Sequence, residues 1–127
     1  MEARKAIEQI RNEAYHKEQK KEARKAVKAK LGFLPKTIDV NGKEWFDKTY
    51  GNSYFSAVVT LDYLLPTQKT IVLPFQYGYG DSYTQAAAEA LGLKAPLSYS
   101  AREAGIMLRA NIECGCLQRD VKRWGRE

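Results

Sequence analysis

The chain is poor in the residues that most often do chemistry. Histidine occurs once, as His16, and cysteine twice, as Cys114 and Cys116. One histidine leaves almost no material for histidine-dependent acid–base or nucleophilic constellations. Two cysteines are too few for a disulfide framework. A zinc site would need two further ligands, available only from a dimer. Cys114 and Cys116 are two apart, so on a strand they share a face. Here that face is apolar, and buried free thiols are expected. Asp39, Asp47 and Asp62 are scattered and form no recognisable catalytic pair. Gly78-Tyr79-Gly80 is G-x-G, but no phosphate-binding signature follows, and Asp81 sits where it would repel an anion. No catalytic residue, metal or cofactor is expected.

Long apolar runs are also missing. Nothing approaches the roughly 18 residues a membrane span needs, so no membrane partner is expected. The opening MEARKAIEQIRNEAY lacks the apolar core of a secretory signal, which predicts a cytoplasmic location. What remains is ordinary for one globular domain: 44% apolar residues in 127.

The formal charge is +6, and it is unevenly placed. Residues 1–36 carry 11 Lys and Arg against 5 Asp and Glu, whereas residues 37–127 carry 10 of each sign. The chain therefore divides into a basic arm, 1–36, and a charge-balanced body, 37–127. Residues 2–31 have no Pro or Gly and are rich in helix formers. Their apolar stripe is thin and is interrupted by Lys20 and Lys21. Such a helix would either be a solvated extension or present its cations to a polyanion. The candidate phosphate contacts are Arg4, Lys5, Arg11, Lys17, Lys20, Lys21, Arg24, Lys25, Lys28 and Lys30. An exposed apolar face on the same helix would equally make a homodimer.

The body is organised around residues 52–91. Phe55, Ala57, Val59, Leu61 and Tyr63 alternate with Ser56, Val58, Thr60 and Asp62, the pattern of a half-buried strand with one apolar face. Pro66 marks a turn. Ile71, Leu73, Phe75, Tyr77 and Tyr79 alternate again, and Pro74 without an N–H places that strand at an edge or a bulge. Ser82 and Gln85 have capping-box spacing for a helix to Leu91, with Gly92 as its left-handed cap. Upstream, Asn41-Gly42 predicts a tight hairpin between Thr37–Val40 and Lys43–Phe46. Trp45 and Phe46 would then point opposite ways. Downstream, Ser100 and Glu103 predict a short capped helix. Residues 106–114 alternate as a fourth strand, and 117–127 form an amphipathic helix through Leu117, Val121 and Trp124.

Tyrosines cluster around two turns: Tyr50, Tyr54, Tyr77, Tyr79 and Tyr83, with Asn52 between them. They would either seal the rim of a small sheet or form a partner-binding surface, since tyrosine is enriched at interfaces. Exposed rings of this kind also stack bases.

The order helix–strand–strand–strand–helix ending in TQAAAEAL resembles, over residues 37–91, the double-stranded-RNA-binding domain. That family's lysine cluster at the start of its last helix has no counterpart at Asp81–Gln85. The segments NGKEWFDK, GNSYFS and FQYGYGD resemble small proteins of tailed bacteriophages and prophages, over roughly residues 37–115. This likeness implies a phage accessory protein in the cytoplasm of a bacterial host cell, with no transferable catalytic residues. The expected fold is α+β: a three- or four-stranded antiparallel sheet packed by a helix, with a long basic N-terminal helix. The expected function is non-catalytic binding of nucleic acid, or of a host nucleic-acid machine, through that helix. The alternative is an anti-CRISPR-like inhibitor that contacts a host protein through the tyrosine-rich turns.

Overall fold

The computed structural model describes the backbone of residues 2–126 and the side chains of residues 15–126. The elements run α1 (Glu2–Leu31), β1 (Thr37–Asp47), β2 (Asn52–Leu61), β3 (Lys69–Tyr77), α2 (Ser82–Ala90), α3 (Leu97–Ala104), β4 (Met107–Glu113) and α4 (Gln118–Trp124). The fold is α+β. The sheet has the order β3-β2-β1-β4.

The sheet is mixed, not purely antiparallel. β1–β2 and β2–β3 pair antiparallel, but β4 pairs parallel with β1. The reason is the connection: the chain leaves β3, crosses one face as α2 and α3, and returns in the direction of β1. Antiparallel neighbours need only a hairpin, whereas a parallel neighbour needs such a crossover.

The expected Asn41-Gly42 turn does not form. Both residues lie inside β1, paired with Val58 and Ala57 on one side and with Asn111 and Ile112 on the other. Gly42 is there for space. A Cβ at Gly42 would lie 3.3 Å from both Ile112 and Tyr83, so the missing side chain lets those two close over the strand. Central pairing on both edges overrides the local turn preference.

One core lies between the sheet and α2–α3. Its buried members include Ile38 and Val40 of β1, Phe55, Ala57, Val59 and Leu61 of β2, and Leu73 of β3. Tyr83, Ala87, Leu91, Leu97, Ala101, Ala104 and Ile106 cover them. Val27 joins the same core, and the C-terminal half of α1 lies along α3. Gly92, with φ +74, closes α2 as expected, its N–H donating to Glu89 O and that of Leu93 to Ala88 O. The capping boxes are not formed. Ser82 Oγ turns back to the Tyr79 carbonyl at 2.8 Å, and Ser100 is buried inside α3.

The second sheet face is covered by α4. Val121 is fully buried there, Ser56 donates its hydroxyl to the Val121 carbonyl, and Trp124 Nε1 donates to Asn41 O at 2.8 Å. Gly125 closes the contact. A Cβ on it would stand 2.8 Å from Ser56 Cβ and 2.9 Å from the Phe75 nitrogen.

Edge strand β3 carries a bulge. Phe55 pairs with Gln76 but Ala57 pairs with Leu73, so Pro74 and Phe75 together oppose Ser56. An extra residue reverses the alternation beyond it. Ile71 and Leu73 therefore face the core, while Phe75 and Tyr77 face the α4 side. The expectation of one continuous apolar face from Ile71 to Tyr79 is corrected by this single residue.

The β2–β3 turn is held by Asp62, buried and at φ +52. Its carboxylate accepts the Lys36 N–H at 2.6 Å, the Thr37 N–H at 3.3 Å and the Thr67 hydroxyl at 2.6 Å. Burial pushes its pKa up. The hydrogen bonds from Thr67, Lys36 and Thr37 outweigh this and hold it below the ordinary carboxylate range. A group with a lowered folded pKa contributes stability above its unfolded value, about 3.9. That stability is lost as pH falls through the folded value. Asp62→Ala is expected to cost about 2–4 kcal/mol, because two backbone donors lose a charged acceptor. Asp62→Asn is expected to flatten the acid limb of a Tm-against-pH curve below about pH 5. Thermal unfolding of both variants between acid and neutral pH checks this.

Candidate nucleic-acid interface

Two surfaces carry the residues that could meet a polyanion. The first is α1. Among the described residues, Lys17, Lys20, Lys21, Arg24, Lys25, Lys28 and Lys30 are all exposed. None of them lies within ion-pair distance of a carboxylate there; the ion pairs found are Lys43–Glu113, Arg102–Glu103, Arg109–Asp39 and Arg119–Asp120. The side chains of Arg4, Lys5 and Arg11 lie outside the described residues.

Helical geometry sorts these cations. Ala23, Val27 and Leu31 recur every fourth residue and pack inward. At 100° per residue, Lys17, Lys21, Arg24, Lys25 and Lys28 fall within one arc of about 100° on a flank of the helix, between the packed line and the side opposite it, where Glu18 and Glu22 lie. Lys17 to Lys28 spans about 16 Å of helix, close to five base-pair rises of a duplex. Lys20 lies off the stripe. Lys30 instead borders a groove of about 470 Å³ between α1 and the α2–α3 connection, whose walls include Ala23, Ala26, Leu93, Ala95 and Tyr99.

The second surface is the α4 side of the sheet at its tyrosine-rich end. Trp45 of β1, Tyr54 of β2, and Phe75 and Tyr77 of β3 form one connected row. Trp45 and Tyr54 stack at 5.7 Å, Tyr54 and Phe75 at 5.2 Å and 7°, and Tyr77 meets Tyr54 edge-on at 5.9 Å. The register explains the row, since Trp45, Tyr54 and Tyr77 are direct cross-strand partners. A cation caps it, with Lys122 Nζ 5.4 Å over Phe75, and on the same sheet face Lys43 Nζ lies 5.1 Å over Trp124 of α4.

The sequence-selected tyrosines divide. Tyr54 and Tyr77 come together. Tyr50 and Tyr79 are exposed at the same end, joined through Gly78 N–H to Ser53 O at 3.1 Å. Asn52 is half-buried opposite Asp47. Tyr83 is not on the surface. It is 8% exposed against Gly42, and burial first, then the Asp81 and Cys114 charges, raises its pKa.

Trp45, Phe75 and Lys122 were not singled out by sequence. The signal that finds them is Pro74: a proline inside an alternating run marks a bulge, and a bulge reverses every side chain beyond it.

No family model matches this chain, and neither a curated protein nor a solved structure matches it significantly. Its site residues therefore rest on geometry alone.

The thiols differ from expectation. Cys114 is exposed and Cys116 is half-buried, not sealed in the core. β4 is an edge strand ending at Glu113, and Gly115 at φ +78 turns the chain away from the sheet. Cys114 Sγ donates to Glu44 Oε2 at 3.0 Å. That bond first, then burial and the Glu44 charge, raises the Cys114 pKa and keeps the thiol protonated. Among the described residues no His, Cys, Asp and Glu side chains gather as a metal-binding group, and no helix is long and apolar enough to cross a membrane.

Proposed function

We propose that the protein is a non-catalytic, phage-type accessory protein that binds nucleic acid, with α1 as a basic helical arm laid along the phosphate backbone. One observation carries this reading: five exposed cations, none paired with a carboxylate among the described residues, gathered along one flank of α1. Ion pairing within the helix would have neutralised such a stripe. With no such pair among the described residues, it creates a local positive potential that attracts phosphates and releases their counterions. The charge-balanced body adds no general bias, so affinity through this route is concentrated in the arm. The phage assignment rests on the resemblance of the NGKEWFDK, GNSYFS and FQYGYGD segments.

A second reading has its own observation. Tyr50, Tyr77 and Tyr79 are 79%, 62% and 68% exposed at one end of the sheet, an unusual concentration of open aromatic area. An inhibitor of a host protein would anchor there, because buried tyrosines dominate such interfaces. Fluorescence polarisation with labelled duplex DNA, duplex RNA and single strands at low salt separates the two. Binding to any of them is expected on the first reading. No binding at low salt would sink it and leave the tyrosine surface as the one to pursue.

A further inference from the structure

We infer that the aromatic row on the α4 side of the sheet is a stacking site for unpaired bases, which makes single-stranded nucleic acid the preferred ligand. This rests on the proposed nucleic-acid binding, but on different residues from the α1 stripe.

The argument starts from what the row lacks. Aromatic side chains on a sheet face normally gain by being covered. α4 covers Val58 and Ser56, but it stops short of Tyr77, which remains 62% exposed on an edge strand. A ring that open leaves area for another ring. Tyr77 is turned 78° from Tyr54, so it does not continue the parallel stack. Tyr54, itself stacked on Trp45 and Phe75, supports Tyr77 as an already ordered base, so little entropy is lost on binding.

Charge selects the occupant. Segment 118–126 carries Arg119, Lys122, Arg123 and Arg126 against one acid, Asp120. Lys122 caps Phe75, and Arg123 and Lys43 border a groove of about 410 Å³ between α4 and the sheet. Lys43 is also within 3.5 Å of Glu113, an exposed pair that a phosphate can replace. Aromatic rings interleaved with cations match the repeat of a single strand, base then phosphate. A duplex keeps its bases stacked inside and could use only the cations.

The bulge is what builds this site. Without the extra residue at Pro74–Phe75, both Phe75 and Tyr77 would face α2, and the row would end at Tyr54.

The chain supplies its own probe, because both of its tryptophans, Trp45 and Trp124, lie on this face. The test is a titration of the full chain with oligothymidine and oligouridine of about 12 nucleotides, and with mixed-sequence duplex, read by tryptophan emission and polarisation. Single strands are expected to quench the emission, and duplex held by α1 is not. Tyr77→Ala is expected to weaken single-strand binding about 5- to 100-fold while leaving duplex binding unchanged. Tyr77→Phe, which keeps the ring, is expected to restore it. Lys122→Gln is expected to lower the salt slope for single strands by about 0.7. Single-strand binding without quenching and unaffected by Tyr77→Ala would overturn the inference and leave the α1 reading standing. Absence of all nucleic-acid binding at low salt would overturn both. Loss of a protein partner in Tyr77→Ala, with oligonucleotide binding intact, would assign the row to protein recognition and overturn it as well.

Discussion

Reversing Lys17, Lys21, Lys25 and Lys28 to glutamate is expected to weaken duplex binding by at least about a hundredfold near 0.1 M salt. Each phosphate contact contributes about 0.9 to the slope of log affinity against log salt, or about eightfold at that concentration. Four lost contacts would exceed the hundredfold, and four new negative charges add repulsion. The fold should survive. All four side chains are exposed, and glutamate is a helix former comparable to lysine. Far-UV circular dichroism and Tm should be near those of the parent. A matched reversal of Lys48, Lys69, Lys94 and Arg102, exposed on the body, changes net charge equally and serves as the control. It should weaken binding only slightly.

Gly78→Ala is expected to be the most damaging single substitution for stability, at about 3 kcal/mol or more. Two effects coincide. Gly78 sits at φ +156, a region other residues rarely adopt. A Cβ there would also stand 2.6 Å from Phe55 Cε1 and 2.8 Å from Ser82 Cβ, well inside contact distance. Phe55 cannot yield, because it is 2% exposed at the centre of the core. Overpacking of this kind typically costs 1–3 kcal/mol, and backbone strain adds 1–3. Phe55→Leu alone is expected to cost about 1–2 kcal/mol through the cavity it leaves. The two changes should not add, since removing the ring makes room for the new methyl. The double variant should be no worse than Gly78→Ala alone, as measured by urea unfolding. Simple additivity would show that the strain, not the contact with Phe55, is what matters.

The sequence revealed the elements better than their arrangement. The β2 alternation, the α2 helix, its Gly92 cap, the edge position forced by Pro74, the fourth strand and the α4 segment were all legible. Each depends on a local period or on a residue with one strong backbone preference. Three features were not, for a common physical reason. Asn41-Gly42 carries a strong turn preference, yet pairing on both sides of β1 decides its conformation, and no window around it records those neighbours. The parallel pairing of β4 depends on where two helices deliver the chain, which periodicity does not contain. The exposure of Cys114 and Cys116 depends on β4 being an edge strand that ends at Glu113. The candidate site was half legible. The cations of α1 follow from composition, and the tyrosines from counting. Tyr83 was misplaced because its neighbour across space, Gly42, is distant in sequence. Trp45, Phe75 and Lys122 come together only after the bulge has reversed β3.

The cation stripe of α1 is the central claim, and the salt dependence of binding tests it most directly. Affinity of the full chain for a short duplex, measured from about 50 to 300 mM salt, should fall log-linearly with a slope of about −4, for four to five phosphate contacts. The Lys17, Lys21, Lys25 and Lys28 reversal should bring that slope near zero. A parent slope near zero, or one unchanged by the reversal, would contradict the account.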